Sequence, residues 1–220
     1  MGSRAAKESL FDAFAEAARA LASGRRAELV DVLAQGERSV EELAGEVGQS
    51  LANTSHHLRT LARAGLVDTR RDGTRIYYRL AGERVAELWA AMRDVAVAHV
   101  AGIDRLAEGY LGDRSALSTV DRQELAGLVA AGEVIVLDVR PPAEYAAGHI
   151  PGARSVPPDE VLGQLGGLPT DTEIVAYCRG PYCVYADEAV RELSRHGYRA
   201  RRLEDGFPEW RRAGLPVAVG

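Results

Sequence analysis

Residues 39–80 read SVEELAGEVGQSLANTSHHLRTLARAGLVDTRRDGTRIYYRL. Two short helical patterns come first. Ser39 can cap the free N–H groups of the first, and Glu42, three residues on, can reach back to it. Gly48 ends that helix, and a second pattern runs to Gly65. The period then changes. Ile76, Tyr78 and Leu80 alternate with Arg75, Tyr77 and Arg79 around Asp72-Gly73, a strong hairpin signal, so residues 66–80 are expected to form two strands. Two short helices followed by a strand hairpin describe a winged helix-turn-helix.

Outward from this segment, residues 4–22 place Leu10, Phe11, Phe14 and Leu21 at helical spacing, and 24–36 repeat the pattern with Leu29, Val32 and Leu33. Residues 82–110 return to a long Ala/Leu/Val helical pattern. The stretch 53–79 carries Arg59, Arg63, Arg70, Arg71, Arg75 and Arg79 against Asp68 and Asp72, a basic island in a chain of formal charge −5. On the second short helix, Thr54, Leu58 and Leu61 mark a core face. Candidate contacts to base edges and phosphates are Asn53, Thr54, Ser55, His56, His57, Arg59 and Arg63, with one histidine packing and the other pointing out. Arg70, Arg71 and Arg75 at the hairpin suit phosphate or minor-groove contacts. The plainer alternative is a solvated charged face. Placement of these charges on the two elements that would touch a duplex favours DNA.

The runs TSHHLRTLARAGLV (54–67) and RRDGTRIYYRL (70–80) resemble the ArsR family of bacterial winged-helix repressors, over roughly residues 8–110. The resemblance implies a homodimer built largely by the first and last helices. It also implies a pseudo-palindromic double-stranded operator and repression relieved by a signal. Metal-sensing relatives carry a cysteine pair on the helix before the recognition helix, and VEELAGEV has none. Asp94 and His99 on the last helix, five apart, are not a good same-face ligand pair. No metal and no cofactor are expected, and the sensor is expected elsewhere in the chain.

From about residue 117 the style becomes α/β. EVIVLDV (133–139) and EIVAYC (173–178) are continuous apolar runs of the kind buried parallel strands show, with helical patterns at 121–130 and 183–196 and Pro-rich loops RPPAEY and SVPPDE between. The boundary is placed in YLGDRSALS (110–118). This gives a mainly α DNA-binding and dimerisation domain, 1–112, and an α/β three-layer domain with a central parallel sheet, 118–220.

Both cysteines of the 220-residue chain lie in VAYCRGPYCVYA (175–186), five positions apart. The N-terminus has no signal-peptide core and no apolar run approaches a membrane span, so a cytoplasmic chain with reduced, reactive thiols is expected. A strand–loop–helix turn containing Gly180 lets successive backbone N–H groups face an anion at a helix N-terminus. A thiolate at Cys178 in such a nest should have a lowered pKa, with Arg179 adding positive charge. Gly180, Pro181, Tyr182 and Val184 complete the cradle. The plainer alternative makes Cys178 a small buried hydrophobe and Cys183 a buried helix start.

LDVRPPAEYAAGHIPGARSVP (137–157) and LEDGFPEWRRAGLPV (203–217) resemble the rhodanese family, over about 118–219. That resemblance makes Cys178 the catalytic nucleophile. Asp138, Arg140, Glu144 and His149 are read as loop support, and Phe207 and Trp210 as core. The chain departs from the family at Cys183, where sulfurtransferase loops carry a basic residue. A thiol there can attack a persulfide on Cys178, closing a disulfide or a bridge containing extra sulfur. The expectation is a repressor that senses small sulfur donors (polysulfide, persulfide or thiosulfate) through Cys178, with Cys183 as resolving thiol. The alternatives are a DNA-tethered sulfurtransferase and a thiol redox or arsenite switch.

Overall fold

The computed structural model describes residues 3–157 and 171–220, together with Glu160, Gly163 and Pro169; part of the second Pro-rich loop, residues 158 and 159, lies outside the described residues. The chain divides into two compact units, Met1–His99 and Val100–Gly220.

In the first unit, helix α1 (Arg4–Leu21) is capped by Ser3, whose hydroxyl accepts from Ala6 N at 3.1 Å. Helix α2 (Gly24–Leu33) supplies the centre of the core through Leu29 and Val30. A short strand β1 (Arg38–Ser39) leads into α3 (Val40–Glu46). The Ser39–Glu42 capping box forms in both directions, at 3.3 and 2.7 Å, so the local spacing alone places this helix start. Helix α4 (Leu51–Arg63) is capped by Ser50. Strands β2 (Val67–Asp72) and β3 (Arg75–Leu80) pair antiparallel with Asp72 opposite Arg75, in a sheet of order β1-β3-β2. Gly73 takes the turn at φ +59°, a conformation that disfavours any residue with a Cβ. Leu43, Leu58, Leu61, Tyr78 and Val85 close the core around Leu29. Helix α5 (Glu83–His99) is tied to α2 by Trp89 Nε1 donating to Asp31 at 2.7 Å.

The helical pattern over 82–110 is broken. Helix α6 (Ile103–Leu111) is separate from α5, and Gly102, at φ +89°, provides the break. Periodicity continues across such a break because both helices keep apolar positions. Helix α6 belongs to the second unit, where the sequence pattern groups it with the first.

The second unit is built on a five-stranded parallel sheet of order β4-β8-β7-β5-β6: β4 (Thr119–Val120), β5 (Val134–Asp138), β6 (Arg154–Ser155), β7 (Glu173–Tyr177) and β8 (Ala200–Leu203). Helix α7 (Arg122–Ala131) supplies Leu125 to one face, with Phe207 and Trp210. RPPAEY is not all loop: helix α8 (Pro142–Ala147) starts in it, since proline is compatible with a helix's first turn. Helix α9 (Tyr185–Arg195) covers the other face with Ala186, Ala189, Val190 and Leu193. Both faces are buried, which is why β5 and β7 read as continuous apolar runs. Helix α10 (Phe207–Arg212) closes the fold.

The polar anchor of this unit is fully buried. Arg140 Nε and Nη2 donate to Asp138 at 2.9 and 2.5 Å, and Nη2 donates to Gly148 O at 2.7 Å. Tyr177 OH donates to Asp138 at 2.5 Å and accepts from Ile150 N at 3.1 Å. The Arg140 guanidinium lies 4.2 Å from the Phe207 ring centre. Removing one partner of a buried pair leaves an uncompensated charge. Asp138→Asn should therefore cost about 3–5 kcal/mol in denaturant unfolding; a loss below about 1 kcal/mol would show that Arg140 is neutralised elsewhere.

Candidate functional site

The two cysteines meet where β7 ends. Cys178 is 1% exposed and Cys183 is half-buried; both are free thiols, hydrogen-bonded to each other. Backbone N–H groups converge on them, from Gly180 and Ala186 to Cys178, and from Arg179 and Tyr185 to Cys183. Tyr185 and Ala186 are the first residues of α9, so their N–H groups have no partner within the helix and the helix dipole points at the sulfurs. Cys183 N donates to Gly180 O at 3.2 Å, which closes the turn.

The charge does not fall where the sequence places it. Burial pushes the Cys178 thiol well up, and its hydrogen bond to Cys183 adds to this. The thiol that is pushed down, to about 7, is Cys183, chiefly because Cys178 donates a hydrogen bond to it. Backbone N–H groups and the Arg179 charge contribute further. The two thiols titrate as a coupled pair, with Cys178 pushed up by burial and Cys183 pushed down by its neighbours. Where the sequence leads to a lowered Cys178 thiol, burial pushes it up, and the lowered member of the pair is Cys183.

Arg179 is not a free charge beside Cys178. Its Nε and Nη2 donate to the fully buried Glu144 at 3.0 and 2.6 Å. Glu144 thus braces the loop through Arg179. Asp138 and Arg140 act one layer beneath, since Tyr177 precedes Cys178. His149 braces a different element: its ring stacks on Tyr145 at 3.7 Å and its backbone pairs with Ala218. Pro181 and Tyr182 form the outer side of the loop, and Val184 is the N-cap position of α9.

Gly206 is a further supporting residue. In the sequence it shows up only as part of the closing pattern, with no role attached. A Cβ there would lie 2.2 Å from Gly180 N and 2.4 Å from Arg179 C. The next residue, Phe207, donates its N–H to Cys178 O at 3.0 Å. Only glycine allows the loop to rest against this turn.

On the first unit, Asn53, His56, Arg59 and Arg63 are exposed along α4, and Ser55 and His57 are half-buried. Burial pushes the His57 pKa down. Thr54 is fully buried beside Leu58 and Leu61, so it packs in the core and is withdrawn as a DNA contact. On the hairpin, Arg71 and Arg75 are exposed. Arg70 is exposed but held by Glu37 at 2.7 Å and Asp72 at 3.2 Å, and it stacks on Tyr77. Glu37 lies outside the basic island, so the island's charge is smaller than its own residues imply. Among the described residues, no group of three or more His, Cys, Asp or Glu is placed to hold a metal ion, and no helix is long and apolar enough to cross a membrane.

The arrangement offers a thiolate near neutral pH with a second thiol in contact. Iodoacetamide labelling of Cys183, followed by peptide mass analysis, should rise with pH about a midpoint near 7, below the ~8.5 of an ordinary cysteine. Below the midpoint the thiol is protonated and slow; above it the thiolate reacts. Cys178→Ala removes the donated hydrogen bond and should raise the midpoint. Gly206→Ala, which displaces the 179–180 peptide, should also raise it. A native midpoint near 8.5 would refute the lowered Cys183 thiol.

Residues 23–69 match the family model described as bacterial regulatory protein, arsR family, and residues 121–213 match the rhodanese-like domain. An HTH-type transcriptional regulator of Mycobacterium tuberculosis, Rv0324, is 49% identical over 97% of this chain and 94% of its own length. A sulfurtransferase of Allochromatium vinosum is 34% identical over 47% of this chain and 96% of its own. A solution structure of a homodimeric winged helix-turn-helix domain from Mycobacterium bovis is 47% identical, covering 46% of this chain and 93% of its own, with a TM-score of 0.43. The chain belongs to the ArsR family of bacterial transcriptional regulators and carries a C-terminal rhodanese-like domain.

Proposed function

We propose that this regulator is a repressor whose rhodanese-like domain senses reactive sulfur through the Cys178–Cys183 pair. The observation that carries the reading is the second thiol, Cys183, packed with Cys178 in one loop and pushed down to about 7, at the position where the rhodanese resemblance implies a basic residue. A fixed positive charge at that position would favour anionic substrates and turnover. A second thiol favours a chemical change that stays on the protein.

The first attack comes from Cys183, the accessible sulfur. Its thiolate takes the outer sulfur of a hydropersulfide RS–SH, forming Cys183–S–SH and expelling RS⁻. The Cys178 thiol then attacks the Cys183 Sγ. A disulfide forms, and hydrogen sulfide leaves with the Cys178 proton. This is the two-thiol chemistry the sequence implies, with entry moved to the sulfur that carries the charge.

The unmodified protein binds a pseudo-palindromic double-stranded operator as a homodimer, in the cytoplasm. The exposed apolar residues Leu10, Phe11 and Phe14 on α1, and Leu88, Met92 and Val95 on α5, are suited to a self-association surface. Asn53, His56, Arg59, Arg63, Arg71 and Arg75 are its DNA-facing set. Loading the thiols lowers operator affinity through a free-energy difference between bound and free states.

The test is operator binding by reduced protein before and after polysulfide, with arsenite, peroxide and thiosulfate in parallel, and mass analysis of the 175–186 peptide. Polysulfide should add sulfur or crosslink the pair and weaken binding at least tenfold. Cys183→Ser should load far more slowly, because the remaining thiol is buried with a raised pKa. Cys178→Ser should load at Cys183 but form no crosslink. Unchanged affinity after sulfur addition would sink the sensor; a response to arsenite or peroxide alone would replace the inducer. Repeated release of sulfide from thiosulfate would favour an enzyme.

A further inference from the structure

The outer side of the cysteine loop is held by a residue that no sequence signal marks. Arg114 lies in the segment between α6 and β4. Its Nη1 donates to Pro181 O at 2.7 Å, its Nη2 donates to Cys183 O at 3.2 Å, and its Nε pairs with Asp187 on α9. Asp187 is fully buried and also faces Arg202 at 3.0 Å, so it keeps a cationic neighbour if Arg114 is altered. Next to Arg114, Asp113 O accepts from Arg191 Nη2 of α9 at 2.8 Å. The loop thus has two polar sides. Its N–H groups face the sulfurs, and its carbonyls at 181 and 183 face Arg114.

Helix α6 lies on the same side. Asp104, Ala107, Glu108 and Leu111 face Pro181 and Tyr182 across a groove of about 390 Å³. Across the groove the arginine bonds tie the loop to the segment that follows α6, and Leu117, further along it, packs against the same core as Cys183. Along the chain, α6 follows α5 of the DNA-binding unit after only residues 100–102. One of the carbonyls that Arg114 holds belongs to Cys183 itself, so a backbone shift of Cys183 toward Cys178 moves an acceptor of the guanidinium directly.

We propose that Arg114 is the positioning residue that carries the state of the Cys178–Cys183 pair to α6. This rests on the two-thiol sensor reading. In the reduced pair, the guanidinium fork holds the 181 and 183 carbonyls and fixes the start of the linker. Bonding Cys178 to Cys183 draws Cys183 inward, pulls its carbonyl from the fork and frees residues 103–117. A lysine at 114 keeps the charge beside Asp187 but cannot bridge two carbonyls and a carboxylate.

The experiment compares the full chain with Arg114→Lys by hydrogen exchange over residues 103–117. The pair is reduced, or crosslinked with diamide, which accepts the two electrons and two protons lost by the thiols. Bond formation is checked by mass. In the native chain, exchange over 103–117 should rise several-fold on crosslinking. In Arg114→Lys it should start high and change little, while thermal unfolding stays cooperative. An Arg114→Gln variant should behave as Arg114→Lys does if the fork, not the charge, is the link. The proposal is overturned if crosslinking leaves native exchange unchanged, if Arg114→Lys responds as fully as the native chain, or if diamide cannot bridge the pair. The sulfur reading fails separately: polysulfide would then add no sulfur to a pair that diamide bridges, and the exchange result would stand.

Discussion

The buried carboxylate of Asp138 is the constraint from which the sulfur site is built. It ends β5 and is excluded from water, so its charge must be met within the protein. Arg140 meets it through a two-pronged contact, and Tyr177 adds a third hydrogen bond. Tyr177 is the last residue of β7, and Cys178 follows it directly. Arg140 also lies against Phe207, whose N–H holds the Cys178 carbonyl. The position of the nucleophile loop is thereby set from below by one charge pair and from the side by one aromatic ring. Helix α9 can then present its free N–H groups to two sulfurs at a fixed place.

Buried carboxylates meet the arginines around the loop. Glu144 takes Arg179, and Asp187 faces Arg114 and Arg202. Arg179 pairs with one carboxylate, while Arg114 and Arg202 share one. Backbone N–H groups and the hydrogen bond between the thiols act on the sulfurs together with the Arg179 charge. A site arranged this way has a local preference for negative sulfur. That preference is what a covalent sensor requires and what a fast anion-processing enzyme would supplement.

Much of this architecture is legible in the amino-acid sequence. The Ser39 capping box, the Gly73 turn, the apolar strands and the motif residues from Asp138 to His149 depend on spacings of a few residues. Such spacings read directly as caps, turns and faces. The misreadings have separate causes. Thr54 reads both as a core position and as a candidate DNA contact, and its full burial decides for the core. The pattern over 82–110 hides the break at Gly102, since periodicity is insensitive to a short interruption. RPPAEY reads as a loop because proline marks both loops and helix starts.

Local sequence is sufficient for the two folds, the second short helix and hairpin of the winged unit, and the presence of two thiols in one strand-to-helix turn. These follow from local propensity and from motifs confined to short segments. Where the charge resides is a matter of tertiary packing alone. Arg70 meets Glu37, Arg179 meets Glu144 and Arg114 meets the cysteine loop across separations of 33, 35 and up to 69 residues. That Cys178 is the thiol pushed up follows from its full burial, which its neighbours in sequence do not specify. Burial and pairing are properties of packed surfaces, and these exist only once distant segments have met.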